Sequence, residues 1–237
     1  MRKFTQLFFI LISIFWFSDT AVMASEDSTY TFSWLDRDKE VFVLQNRKFR
    51  KKDHFIFHGG AGFTTSGSFS KGTSYQGKID YFFHEEFGIE ISYTKNNNID
   101  NKTSELIRAA GTNAFRRLTQ NYFGAMFLWA PFYSKVNTFN KIIYLDWIVG
   151  VGFGKLDENN NQQKFSTIAP SDEETSESHQ GVMWSLGPMF YLSKNFSVKF
   201  DVNAFHYRAQ SFQSSATNSE KIWNTHVDLT LLLGLRF

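Results

Sequence analysis

The last twelve residues of the chain alternate between two kinds of side chain. Because successive side chains of a β-strand point to opposite faces, alternate residues share one face. One face here is purely apolar and comprises Val227, Leu229, Leu231, Leu233, Leu235 and Phe237. The other is mixed and comprises His226, Asp228, Thr230, Leu232, Gly234 and Arg236. This pattern predicts a strand with lipid on one side and a packed polar interior on the other.

Seven further segments of strand length precede it, at about residues 54–65, 75–84, 88–94, 120–130, 141–153, 182–192 and 196–207. Each has one apolar face, on which the one charged residue is Lys141 at the first position of its segment. The other charged residues of the eight strands lie on the opposite face: Lys78, Asp80, Glu90, Asp146, Lys199, Asp201, Asp228 and Arg236. A cationic side chain at the lipid midplane costs about 2–4 kcal/mol, which favours this segregation. A soluble β-sandwich also alternates, but its polar face usually carries more Lys and Glu.

These segments predict an all-β fold, a transmembrane antiparallel up-and-down β-barrel of eight strands. Short links at 85–87 and 193–195 and a medium link at 131–140 alternate with long polar links at 66–74, 95–119, 154–181 and 208–222. Short turns at one end and long loops at the other are typical of outer-membrane barrels, with the turns in the periplasm. Residues 102–117 favour a short helix in the second long loop. Pro188 has no backbone N–H to donate to a neighbouring strand, so we expect a bulge beside it.

The first 24 residues have the pattern of a signal peptide. Arg2 and Lys3 precede an apolar run at 7–17, and Val22-Met23-Ala24 fits the small-residue cleavage rule. The apolar run is shorter than the roughly 20 residues of a spanning helix, and a retained signal anchor is the alternative. We therefore expect a signal peptide at 1–24, a periplasmic segment at 25–53 and the barrel at 54–237.

Composition excludes several kinds of chemistry. The chain has no cysteine, which excludes disulfides, thiolate metal sites and cysteine catalysis. Its six histidines show no zinc-binding spacing, so we predict no metal site and no cofactor. The basic run at 47–52 is too short to indicate a nucleic-acid partner in an exported chain. It fits either contact with lipid phosphates or a solvated linker.

The charges of the mixed faces are the main candidate site. The alternation along each strand predicts that seven of these side chains project into the lumen: Lys78, Asp80, Glu90, Asp146, Lys199, Asp201 and Arg236. Side chains fill the interior of an eight-stranded barrel, and buried charges must be paired. We therefore predict a salt-bridge network that plugs the lumen. A small gated pore is the alternative.

A lipid-modifying enzyme is the third possibility, because such an enzyme needs a histidine with a serine or an acid near the outer leaflet. The available combinations are His206 with Ser211, and His179 with Ser178 or Glu177. The sequence fixes no geometry between these residues, and we predict that the protein is not an enzyme.

Several stretches resemble the outer-membrane β-barrel domain family of predatory and gliding Gram-negative bacteria, which are small OmpA-like barrels. They are residues 43–50 (VLQNRKFR), 129–135 (WAPFYSK), 186–195 (LGPMFYLSKN) and 198–203 (VKFDVN). The chain departs from that family at Ser134, where Gly is common, and at Asn203, where Arg is common. The resemblance implies an outer-membrane barrel and no particular reaction.

The end of the chain, Leu233, Leu235 and Phe237, also resembles the sorting signal that the barrel assembly machinery reads. The expected partners are therefore outer-membrane lipids, that machinery through the C-terminal strand, and an extracellular ligand at the long loops. Together these features favour an outer-membrane protein with a structural or surface-interaction role.

Overall fold

The computed structural model describes residues 47–65, 70–111, 115–139, 141–161, 174–210 and 221–237. Eight strands run in sequence order: β1 (His54–Thr64), β2 (Ser70–Phe82), β3 (Phe87–Asp100), β4 (Arg117–Thr138), β5 (Lys141–Asn160), β6 (Thr175–Tyr191), β7 (Phe196–Gln210) and β8 (Lys221–Arg236). One helix, α1 (Lys102–Ala109), lies between β3 and β4. Each strand pairs antiparallel with its neighbours in sequence, and β8 pairs with β1, so the sheet closes into a barrel. The predicted fold class is confirmed.

The two faces of each strand have opposite surroundings. Apolar side chains such as Phe57, Ile91 and Leu231 lie on the outside and keep between 44% and 49% of their surface exposed. Residues of the other parity point into the barrel, and Asp80 and Glu90 are fully buried there. An apolar exterior and a polar interior are the arrangement that a bilayer stabilises, because the lipid solvates the outer face.

The strands are longer than the sequence predicts. Parts of the predicted loops at 95–119, 154–181 and 208–222 belong to strands β3 through β8. The pairing of β5 with β6, for example, continues to Asn160 and Thr175. The predicted link at 131–140 is also wrong, because β4 runs to Thr138 after a register shift between Trp129 and Phe132. These extensions are rich in polar residues, so apolar alternation does not reveal them. The predicted helix is present as α1.

Two predictions about single residues are wrong. The β6–β7 register is the same before and after Pro188, with Leu186 opposite Val202 and Met189 opposite Lys199, so no bulge forms. Instead the strands approach closely beside the proline, where a Cβ on Gly187 would lie 1.7 Å from the backbone oxygen of Phe200. The alternation of the segment 141–153 also predicts Leu145 on the lipid face, beside Ile143 and Trp147, but only 7% of Leu145 is exposed.

The two ends of the barrel differ. We call the end with the connections at 83–86, 139–140 and 192–195 the short-turn end. The opposite end, with the connections at 65–69, 101–116, 161–174 and 211–220, is the long-loop end. In the part of the chain that the structure describes, no helix is both long enough and apolar enough to cross a membrane. The predicted signal peptide and the segment from 25 to 46 lie outside the described residues.

Candidate functional site in the barrel lumen

The centre of the lumen holds a cluster of buried charges from β2, β3 and β7, and β7 is not a neighbour of the other two strands. Lys78 on β2 lies 2.5 Å from Asp201 on β7 and 2.8 Å from Glu90 on β3. Lys199 on β7 lies 3.4 Å from Glu90 and 3.6 Å from Asp201. All four side chains are fully shielded from solvent. These ion pairs therefore connect β2 and β3 with β7 through the interior of the barrel.

Two further residues complete the central cluster. Asp80 on β2 faces His58 on β1, with 3.3 Å between the carboxylate oxygen and Nδ1. Asn203 accepts a hydrogen bond from the Lys78 ammonium at 2.9 Å and donates one to Gln76 at 3.2 Å. Asn203, the departure from the related family, is therefore a neutral partner of Lys78. The two ammonium groups of Lys78 and Lys199, together with the imidazole of His58, therefore face the carboxylates of Asp80, Glu90 and Asp201.

A second layer of polar contacts lies toward the long-loop end. Tyr122 on β4 donates a hydrogen bond to Asp228 on β8 at 2.8 Å, and the two strands are on opposite sides of the barrel. His226 lies 3.1 Å from the Asp228 carboxylate and 2.9 Å from the Asn96 side-chain nitrogen. This layer again joins separate walls of the lumen, here mainly by hydrogen bonds.

The long-loop mouth is organised around Glu158 of β5. Its carboxylate accepts a hydrogen bond from Tyr207 at 2.6 Å, lies 3.0 Å from His179 Nε2 and pairs with Arg117. Glu177 lies 3.3 Å from the same His179 nitrogen. Ligand atoms of Glu158, Glu177 and His179 all lie within 4.8 Å of one another, a spacing that a metal ion could use. The Arg117 guanidinium already supplies a cation to both carboxylates, so the geometry favours a protein ion pair over a metal centre.

The segment that precedes β1 packs into the short-turn mouth. Phe49 is 6% exposed, and its ring stacks on Tyr191 with 4.9 Å between centroids. Lys51 is 1% exposed and pairs with Asp146, which also accepts a hydrogen bond from Tyr191 at 2.6 Å. Burial lowers the pKa of the Lys51 ammonium, and the Asp146 carboxylate opposes that shift.

These contacts bear on the expected role of the basic run. Arg47 lies 3.6 Å from Glu85 and 3.7 Å from Glu86, and Lys51 is inside the barrel mouth. These two cations therefore face protein carboxylates. Neither the lipid contact nor the solvated linker describes them.

The predicted lumen residues are not all in one place. Lys78, Asp80, Glu90, Lys199 and Asp201 form the central cluster, whereas Asp146 belongs to the short-turn mouth. Arg236 is partly exposed at the end of β8, and its guanidinium donates a hydrogen bond to the Arg50 carbonyl at 2.7 Å. Arg236 is therefore at the rim, because β8 ends there and its side chain reaches the segment before β1.

The predicted C-terminal signal residues lie on the outside of β8. Leu233 and Phe237 are both 66% exposed, and Leu235 is half-buried. The backbone of Phe237 exchanges hydrogen bonds with Phe55 at 2.9 Å and 3.2 Å, which closes the seam between β8 and β1.

Of the pairs considered for catalysis, His179 and Glu177 are brought together among the described residues, with 3.3 Å between them, and the serine pairs are not. His206 accepts a hydrogen bond from the Trp184 indole at 2.9 Å on the outer face, and Ser211 lies outside the described residues. Ser178 donates to Asp157, while His179 faces Glu158 and Glu177. The structure therefore does not place Ser178 and His179 together as a nucleophile and a base.

Sequence reasoning missed several lumen residues. Lys51 belongs to the basic run, for which the sequence predicts only lipid contact or a solvated linker, and Glu158 and Arg117 fall in predicted loops because the predicted strands end too early. His58 and Tyr122 shared the inward parity of the charged residues, which was a usable signal. Parity assigns a residue to the lumen, but it does not give the partner across the barrel.

Comparisons with known proteins found one family model and several solved structures that are similar to the chain. Residues 50–237 match the family model described as "Outer membrane protein beta-barrel domain". The chain is similar to the N-terminal β-barrel domain of Pseudomonas aeruginosa OprF, with a TM-score of 0.46 and 13% identity over 78% of this chain and 98% of that one. It is also similar to Neisserial surface protein A, with a TM-score of 0.44 and 12% identity over 78% of this chain and 96% of that one. For Escherichia coli outer membrane protein W the TM-score is 0.42, with 14% identity over 79% and 99% of the two chains. No curated protein matches the chain in sequence.

Proposed function

Because the chain belongs to the outer membrane protein beta-barrel domain family, we propose that it is a structural and surface-contact protein whose lumen is closed to ions. The outer membrane is its location, and the barrel crosses that membrane with its eight strands. In this proposal the barrel is a rigid support, and the long-loop end carries the contacts with an extracellular ligand.

The observation that carries the proposal is the contact of Lys78 with Asp201 through the middle of the lumen. Side chains fill the interior of an eight-stranded barrel, and an ion would have to displace these groups to pass. Removing one partner of a buried ion pair costs about 3–5 kcal/mol, so displacement is rare at equilibrium. The Tyr122–Asp228 contact and the Phe49 stack oppose passage on either side of it.

Conductance of the purified protein in planar bilayers tests the closed lumen. We expect no steady openings from the native protein. A variant with Lys78, Glu90, Lys199 and Asp201 all changed to Ala keeps the same net charge and removes the central cluster. If it folds, as judged by heat-modifiable gel migration, it should conduct. Steady, large openings from the native protein would overturn the proposal and favour the gated pore.

We also propose that the protein has no catalytic role. Support comes from Glu158 and Glu177, which pair with the Arg117 guanidinium as well as with His179, and from Ser178, which donates its hydrogen bond to Asp157. Mass spectrometry of lipid A from a deletion strain tests this directly. A profile identical to that of the parent strain is expected, and a missing modification would contradict the proposal.

Orientation and processing complete the proposal. We place the short-turn end in the periplasm and the long-loop end outside the cell, as the asymmetry of connections favours. The stretches at 43–50 and 186–195 place the chain, in this proposal, in the branch from predatory and gliding bacteria. N-terminal sequencing of the mature protein should begin at Ser25; a start at Met1 would favour the retained anchor.

A further inference from the structure

A groove of about 750 Å³ lies on the outer surface of the barrel, toward the long-loop end. Its walls include the exposed rings of Phe123, Phe153 and Trp223, while the smaller Ala125 and Val182 line it between them. None of the described residues that line it is acidic. Apolar walls in this position are suited to a hydrocarbon chain.

Two cations lie at the same groove. Lys155 of β5 and Arg208 of β7 both line it and are exposed. The Arg208 guanidinium lies 4.7 Å from the centre of the Trp223 ring, which holds it at the groove. Lys155 makes only an exposed contact with Asp157 at 3.9 Å, and such contacts are weak. In the part of the chain that the structure describes, Arg208 forms no ion pair with a carboxylate.

The register shows how these cations stand relative to the apolar belt. Ala125, Phe153, Val182, His206 and Thr225 form one continuous row across β4 to β8. From Thr225 to Leu235, β8 spans the 9–11 residues that a transmembrane strand needs. Lys155 and Arg208 lie two residues beyond this row, toward the long-loop end, at the level expected for lipid headgroups.

We propose that this groove binds a phosphorylated lipid of the outer leaflet, with the phosphate between Lys155 and Arg208 and an acyl chain along Phe153 and Trp223. One strand separates β5 from β7, so the two cations are two strand spacings apart, or roughly 10 Å. Both side chains are long enough to reach a phosphate from that distance. Gln180 lies between them and offers an amide to a polar headgroup. The choice of the outer leaflet rests on the orientation proposed above.

Binding of lipid A to the protein in phosphatidylcholine nanodiscs tests the site, with native mass spectrometry to count bound lipid. Each cation near an anionic lipid contributes about fivefold in affinity, so the K155Q/R208Q variant should bind about 30-fold more weakly. The matched control is K71Q/K95Q, which removes the same charge from outward positions on β2 and β3. It should bind as the native protein does, and an equal loss in the control would overturn the site.

Three further binding measurements test the groove, the phosphate and the leaflet separately. A125W retains both cations but fills the groove, and it should also lose affinity; unchanged binding would overturn the role of the groove. Lipid A without its phosphates should bind as weakly as K155Q/R208Q, and tight binding would overturn phosphate recognition. Phosphatidylglycerol that bound as tightly as lipid A would overturn the outer-leaflet assignment. None of these results depends on conductance, so they are separate from the closed-lumen test.

Discussion

Lys78 on β2 and Asp201 on β7 lie 2.5 Å apart, although β1 and β8 separate their strands in the barrel wall. The pair therefore crosses the interior and does not follow the wall. Glu90 on β3 lies 2.8 Å from the same ammonium, so Lys78 serves two carboxylates from opposite sides. Such an arrangement leaves an uncompensated buried charge when either partner is removed.

Lys78→Met should therefore destabilise the barrel strongly. Glu90 and Asp201 would lose their nearest shared cation while they remain buried, and we expect a loss of about 3–5 kcal/mol in the free energy of unfolding. Reversible urea unfolding in lipid vesicles measures it. Lys95→Met on the outer face is the control and should change stability little. The K78M/D201L double variant should be more stable than K78M alone, and an additive loss would show that the pair is not coupled.

Phe49→Ala should open the short-turn mouth. The Phe49 ring packs on Tyr191 and Tyr144, and truncating a buried aromatic ring costs about 3–5 kcal/mol. We expect protease cleavage within residues 47–53 to become much faster. Phe139→Ala is the control, because that side chain is fully exposed. Equal protection of both variants would show that the segment before β1 is held by its ion pairs instead.

Gly60→Ala should be far more damaging than Gly59→Ala. A Cβ on Gly60 would lie 2.0 Å from the backbone oxygen of Leu231 on β8, whereas a Cβ on Gly59 would meet nothing within 4 Å. Because backbone cannot move aside cheaply, we expect G60A to cost about 3 kcal/mol and G59A almost nothing. Urea unfolding of the two variants compares them directly, and similar midpoints would contradict the close contact of β1 with β8.

Phe237→Ala should separate assembly from stability. The Phe237 ring lies 5.8 Å from that of Phe57, an edge-to-face pair worth about 0.5–1.5 kcal/mol. If Leu233, Leu235 and Phe237 form the assembly signal, the rate of insertion by the purified assembly machinery should fall by a larger factor than this loss implies. Phe57→Ala removes the same ring pair without touching the C-terminus, and it is the control. Identical insertion rates for the two variants would refute the signal.

The alternation of β8 and the apolar outward face at the middle of each strand predicted the fold, because the cost of a charge in lipid applies to each outward position separately. Residue parity alone therefore assigned Lys78, Asp80, Glu90, Lys199 and Asp201 to the interior. The strand ends were mispredicted where the polar ladders extend past the apolar belt. There both faces tolerate polar residues, and alternation carries no information.

Within the predicted strands, and apart from Leu145, sequence alone determined which face each side chain occupies, since period two and the penalty for charge in lipid are local rules. Only the tertiary structure decided which residues meet. Closure of β8 on β1 brings Lys78 to Asp201 over a separation of 123 residues. Closure and packing likewise place Lys51 beside Asp146, and they bring Lys155 and Arg208 to the same groove, which both residues line. These contacts depend on the register and curvature of all eight strands together, and no single segment of sequence encodes them.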